Sequence, residues 1–134
     1  MCEIFISAHP ESYASRTRSV RLHGVVTSIR LENLYWEVLE EIGARDGLGM
    51  VQLIEKLYDV LVEARGEVGN FASFLRVSAL RYMALQAHQR IPMDVRVPIR
   101  SLDPGTVLAP LPAGWTLRRQ RPSPLPDNTS KTIA

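Results

Sequence analysis

The side chains best equipped for chemistry in this 134-residue chain are its arginines. Of 16 basic residues, 14 are arginine and 2 are lysine, a bias toward the planar guanidinium that can give two parallel hydrogen bonds to a phosphate or a guanine edge. Residues 13–30 hold four of them, Arg16, Arg18, Arg21 and Arg30, and no acidic group. Residues 31–67 then hold three basic and nine acidic groups, net −6, and residues 68–134 nine basic and three acidic, net +6. The overall charge of +2 therefore conceals an alternation of sign. The N-terminal basic segment suits an anionic partner, whereas the arginines of the C-terminal third are expected to do little more than keep a small domain in solution.

Other reactive residues do not assemble into a catalytic set. No Gly-rich phosphate loop, nucleophile elbow, HExxH sequence or paired-carboxylate arrangement occurs, so an enzyme is not expected. Glu37, Glu40 and Glu41 fall at i, i+3 and i+4, the spacing of one solvated helix face. Cys2 is the single thiol, and His9, His23 and His88 lie far apart, so neither a disulfide nor a zinc constellation is expected and no metal or cofactor is implied. His23, beside Gly24, has a structural role as its first reading and a pH-sensitive contact as its sharper one. No run nears the roughly 18 apolar residues of a membrane helix, and Met1–Pro10 lacks the pattern of a signal peptide. A soluble cytoplasmic protein without membrane contact is the expectation.

These residues need elements to position them. The run Val25–Leu31 alternates, placing Thr27, Ile29 and Leu31 on one face and Val26, Ser28 and Arg30 on the other, the period of a half-buried strand. A helix is expected from Leu31-Glu32-Asn33, with Tyr35, Trp36, Leu39 and Ile42 on its apolar side and Gly47 as its stop. A second runs from about Met50 to Ala64 on Leu53, Ile54, Leu57, Tyr58 and Leu61, ended by Arg65-Gly66. A third starts near Asn70, a good cap residue, and runs to about His88. Eight of the nine prolines lie beyond Ile91. The chain thus divides into an N-terminal extension (1–15), a domain (16–90) and a Pro-rich, partly disordered tail (91–134). Ile4–Ser7, Val95–Ile99 and Trp115–Leu117 are short segments with strand character.

A lone strand leaves a row of unpaired backbone groups and must find a partner. One candidate is local, with Ser19–Leu22 folding back through the two-residue turn His23-Gly24. The other is the same strand of a second chain, antiparallel about a two-fold axis.

The second arrangement resembles the ribbon-helix-helix family of DNA-binding proteins, the class of the Arc and MetJ repressors. The resemblance runs from Thr27 to about Leu61, through T-S-I-R-L-E-N-L-Y-W-E-V-L-E-E-I-G-A-R-D-G-L-G-M-V-Q-L-I, and the flanking segments look most like a bacterial subgroup with an extra helix after the usual two. It implies a mainly α fold, an intertwined homodimer joined by an intermolecular two-stranded antiparallel ribbon, with an added third helix and an irregular Pro-rich tail. It also implies sequence-specific binding of double-stranded DNA by that ribbon in the major groove, as a transcriptional regulator, in particular a repressor.

Carried over residue by residue, the resemblance makes Val26, Ser28 and Arg30 the base readers, and Arg16, Arg18 and Arg21 phosphate contacts beside them. The first turn of the second helix, Gly49, Met50 and Val51, would face a backbone phosphate; the family often has Ser or Thr where Gly49 stands, so here only backbone donors are on offer. Tyr35, Trp36, Leu39, Ile42, Leu53 and Leu57 would form the dimer core, and Trp115 a surface anchor of the tail. The alternative is an antitoxin-like or other protein-interaction module acting on a protein partner through the C-terminal tail. A third reading keeps the local hairpin and makes the protein a monomer.

Overall fold

The computed structural model describes residues 1–110 of the chain. Two short helices, α1 (Cys2–Ile6) and α2 (Pro10–Tyr13), precede an antiparallel hairpin of β1 (Ser15–Leu22) and β2 (Val25–Glu32). Three longer helices follow, α3 (Asn33–Arg45), α4 (Met50–Arg65) and α5 (Phe71–Ala87). A 3-10 turn at Ile99–Ser101 and a short α6 (Pro104–Val107) close the described chain.

The hairpin is the local option. Leu22 pairs with Val25 and Ser15 with Glu32, leaving His23 and Gly24 as a two-residue turn. Both have left-handed backbone, φ 50° and 82°, the conformation of the hairpin turn whose twist matches its strands. Within the chain, then, the ribbon consists of β1 and β2, which corrects the expectation of a ribbon built from the β2 strands of two chains. Local closure wins because the turn is only two residues long and the Trp36 indole N–H, donating to the Arg16 carbonyl at 2.9 Å, pins β1 onto the helices.

Alternation along the hairpin sorts its side chains cleanly. Val20, Leu22, Ile29 and Leu31 are buried against Trp36 and Leu39 of α3, Leu53 and Ile54 of α4, and Phe71, Leu75 and Ala79 of α5. Tyr58 meets Phe71 edge-on at 5.5 Å. Trp36 is 1% exposed and Leu39 fully buried inside the single chain, so these residues, expected to form a dimer core, are already covered by the hairpin and α5. Tyr35, Ile42 and Leu57 pack partly buried around them.

The helices end where local chemistry says they should. Asn70 caps α5 by accepting from the Ser73 N–H, and Gly66 ends α4 in the left-handed conformation at φ 80°. Gly43 has a different reason to be glycine. A Cβ there would stand 2.9 Å from the Leu48 carbonyl oxygen, which is backbone and itself held by the Leu48 N–H bond to Gly43 O at 2.8 Å. Gly43→Ala is expected to destabilise the fold by about 1–3 kcal/mol through overpacking, although alanine is the better helix former. Urea unfolding of the variant checks this.

Residues 91–110 are irregular yet packed. Ile91, Ile99, Leu102 and Val107 join Tyr82 and Leu85 of α5 in a second apolar cluster. Arg45, 5% exposed, holds this segment by donating to the carbonyls of Pro92, Asp94 and Val97 at 2.9–3.0 Å and to the Tyr82 hydroxyl at 3.0 Å. The Tyr82 hydroxyl in turn donates to Glu41 and accepts from Gln86. Burial pushes the Tyr82 phenol above its ordinary range, and the bond to Glu41 adds to the effect. Val95–Ile99 is not a strand: Arg45 draws the Val97 carbonyl to the same point as those of Pro92 and Asp94, and Pro98 offers no N–H. Ile4–Ser7 is likewise no strand: α1 is helical and its Ile4, Phe5 and Ile6 are exposed. Trp115–Leu117 and the Trp115 anchor lie outside the described residues.

Candidate nucleic-acid interface

The pleat that buries one face of the hairpin presents the other to solvent. Val26, Ser28 and Arg30 of β2 stand there, and their cross-strand partners are Arg21, Ser19 and Thr17. All six are exposed, Val26 by 61%. The result is a surface two strands wide, with a guanidinium at each end and hydroxyls between. Glu32 is the one acidic residue of β2 on this side, and it is engaged: Arg76 of α5 donates to both its oxygens, at 2.9 and 3.3 Å. The Arg30 guanidinium makes no hydrogen bond or salt bridge among the described residues, and its donors remain available to an external acceptor.

The Arg76 pairing lowers the Glu32 pKa. A carboxylate depressed in the folded state contributes stability above its ordinary titration range and loses it as the pH falls through the lowered value. Both side chains are about a third exposed, so screening keeps the contribution below about 1 kcal/mol. Glu32→Gln is expected to flatten the loss of stability on acidification through the glutamate range, measured by urea unfolding at stepped pH.

The four N-terminal arginines do not share one face. Arg16 and Arg18 alternate with the outer residues and point to the helix side; Arg18 lies over the Trp36 ring at 5.4 Å. Arg21 stands on the outer face opposite Val26. Arg18, Ser19 and Val20 nevertheless line an open cleft of about 400 Å³ together with Gly49, Met50, Val51 and Gln52, so β1 and the first turn of α4 form one concave site. In that turn the Gly49 N–H is taken, donating to the Gln52 side-chain oxygen at 2.9 Å. Amide donors of Met50 and Val51 face no helical acceptor, as in the first turn of any helix. Arg18 with these amides is a suitable cradle for one phosphate. Arg16 sits elsewhere, beside Glu11, Asn33 and Glu37.

Sequence reasoning missed Thr17, Ser19 and Gln52. The first two share the parity of Arg21 once the turn is fixed at His23-Gly24, and Gln52 stands three residues after the helix cap, a position that commonly bonds back to it. At the hairpin tip, His23 bonds to Asp59 of α4, whose carboxylate raises the imidazole pKa above its ordinary value.

Residues 15–83 match the ribbon-helix-helix domain, and the chain belongs to that family, a DNA-binding fold. Among solved structures, the chain is similar to an uncharacterized protein from Bordetella pertussis Tohama I, with 65% sequence identity, a TM-score of 0.81, and coverage of 84% of this chain and 90% of that one. No curated protein matches it. Among the described residues no helix is long and apolar enough to cross a membrane.

Proposed function

We propose that the chain is a sequence-specific DNA-binding regulator that lays the outer face of its hairpin in the major groove. The observation that carries this reading is the segregation of the hairpin: an apolar face committed to the core, and an opposite face of hydroxyls and guanidiniums with its one acid tied to Arg76. Two strands are a width the major groove admits, so one chain can supply a complete reading ribbon. Arg30 donates to a guanine edge, Ser28 donates or accepts, and Val26 lies against a thymine methyl. Arg21, Thr17 and Ser19 extend the same surface.

Arg18 and the Met50 and Val51 amides hold a neighbouring phosphate and set the register. The DNA-binding unit is a homodimer, as in the family. Exposed Leu34 of α3 and Val77, Leu80 and Met83 of α5 supply an apolar surface for the second copy to cover. Two hairpins related by a two-fold axis then read an approximately palindromic site, and occupation of that site represses transcription in the cytoplasm. Affinity for duplex DNA should fall steeply with salt, with a log–log slope near −0.9 for each phosphate neutralised. Fluorescence anisotropy of labelled duplexes at stepped salt, alongside sedimentation of the free protein, tests the reading; a monomer that leaves duplex DNA unbound at low salt would overturn it.

A further inference from the structure

The hairpin tip and α4 bring together three metal-ligating side chains that the sequence keeps apart. His23 comes from the turn, and Glu55 and Asp59 from successive turns of α4, at i and i+4 on one face. One donor atom from each, an imidazole nitrogen and two carboxylate oxygens, lies within 4.8 Å of the other two. Ligands of a divalent ion bound at about 2.0–2.2 Å stand roughly 3–4 Å apart, so small side-chain rotations would converge them. His23 and Asp59 are already in contact, and both are about half exposed, leaving room for water to complete a coordination shell. The left-handed backbone of His23 directs the chain reversal here, and the helix holds the spacing of the two carboxylates.

We propose that His23, Glu55 and Asp59 form a binding site for one divalent transition-metal ion. The donor set defines the class. One imidazole with two carboxylates suits a borderline ion such as Zn²⁺, Co²⁺ or Mn²⁺; the imidazole disfavours Ca²⁺ and Mg²⁺, and the absence of a thiolate from the set disfavours Cu⁺. Two carboxylates also neutralise the ion's charge when the imidazole is neutral. Bound metal would clip the hairpin tip to α4, where His23 already meets Asp59 and, at 6.2 Å between ring centroids, Tyr58. The site stands apart from the outer face of the ribbon, and its test requires no DNA.

The experiment is calorimetric titration of the full-length, chelator-stripped protein with Zn²⁺, above the histidine titration range, with Co²⁺ absorption as a second readout. The expected result is one ion per chain, a Co²⁺ spectrum without thiolate charge transfer, and a rise in Tm of roughly 5–10 °C at tenfold excess over Kd. His23→Gln and Asp59→Asn should each weaken binding at least tenfold. Glu55→Gln is the decisive variant, because the side chain carries no hydrogen bond among the described residues; it should weaken binding about tenfold while leaving metal-free Tm unchanged. Absence of a 1:1 site, wild-type affinity in Glu55→Gln, or binding abolished by Cys2→Ser instead would overturn the assignment.

Discussion

Replacing Arg45 with alanine is expected to cost about 3–5 kcal/mol and to release residues 91–110 from the domain, as the loss of a buried charged donor to several hydrogen-bond acceptors does. The guanidinium is nearly inaccessible and gives four hydrogen bonds to partners on two separate stretches of chain. Without it, three carbonyls drawn to one point lose their shared donor, and hydrogen bonds to a charged group contribute about 1.5–3 kcal/mol each. The segment would relieve this by swinging into water, exposing Ile91, Ile99 and Leu102 and uncovering Tyr82. Arg45→Lys should recover less than half the loss, since one ammonium cannot reproduce the planar fork. Urea unfolding gives the magnitude, and limited proteolysis between residues 91 and 103 reports the release. A variant as stable and as protease-resistant as the parent would refute the account of this clamp.

The second large effect concerns Arg30. On a preferred site, Arg30→Ala is expected to remove about 1–3 kcal/mol per copy, hence about 2–6 kcal/mol for a dimer, a loss of at least roughly 30-fold in affinity. Binding to unrelated sequence should fall far less, because most of that affinity comes from phosphate contacts. Arg18→Ala should do the reverse, weakening all sequences alike and reducing the salt slope by about one for each lost contact. Fold stability separates the two further. Arg30 contributes no side-chain contact to the core, whereas removing Arg18 also loses its stacking on Trp36, about 0.5–1 kcal/mol.

Much of this architecture is written in local signals. The alternation of Val25–Leu31 assigns Val26, Ser28 and Arg30 to one face, and Asn70, Gly66 and the three- and four-residue spacings place the helices within a residue or two of their observed ends. What was not legible depends on contacts between distant residues. The turn at His23-Gly24 was visible as an option, but histidine with positive φ is uncommon, and its selection rests on the closure of the whole core. That closure also explains why Trp36, Leu39 and Leu53 need no second chain to be buried: α5, rather than a partner's helices, covers them.

The division of the four arginines follows from strand parity, which the charge count alone could not supply. Arg45 was invisible as a clamp because its acceptors are mostly backbone carbonyls about fifty residues away, and backbone carbonyls leave no mark in the amino-acid types. A shorter but still long stretch of chain, 36 residues to Asp59, separates His23 from Glu55 and Asp59. Each falls below notice as a single residue, and only the packing of the hairpin tip on α4 makes them a set.

Selection of bound duplexes from a random pool, by the full-length protein and by its Ser28→Ala and Arg30→Ala variants, probes the reading face most directly. The predicted result is a two-fold-symmetric consensus containing a guanine whose preference disappears with Arg30→Ala and weakens with Ser28→Ala. An unenriched pool, or a consensus that both variants leave intact, would contradict it.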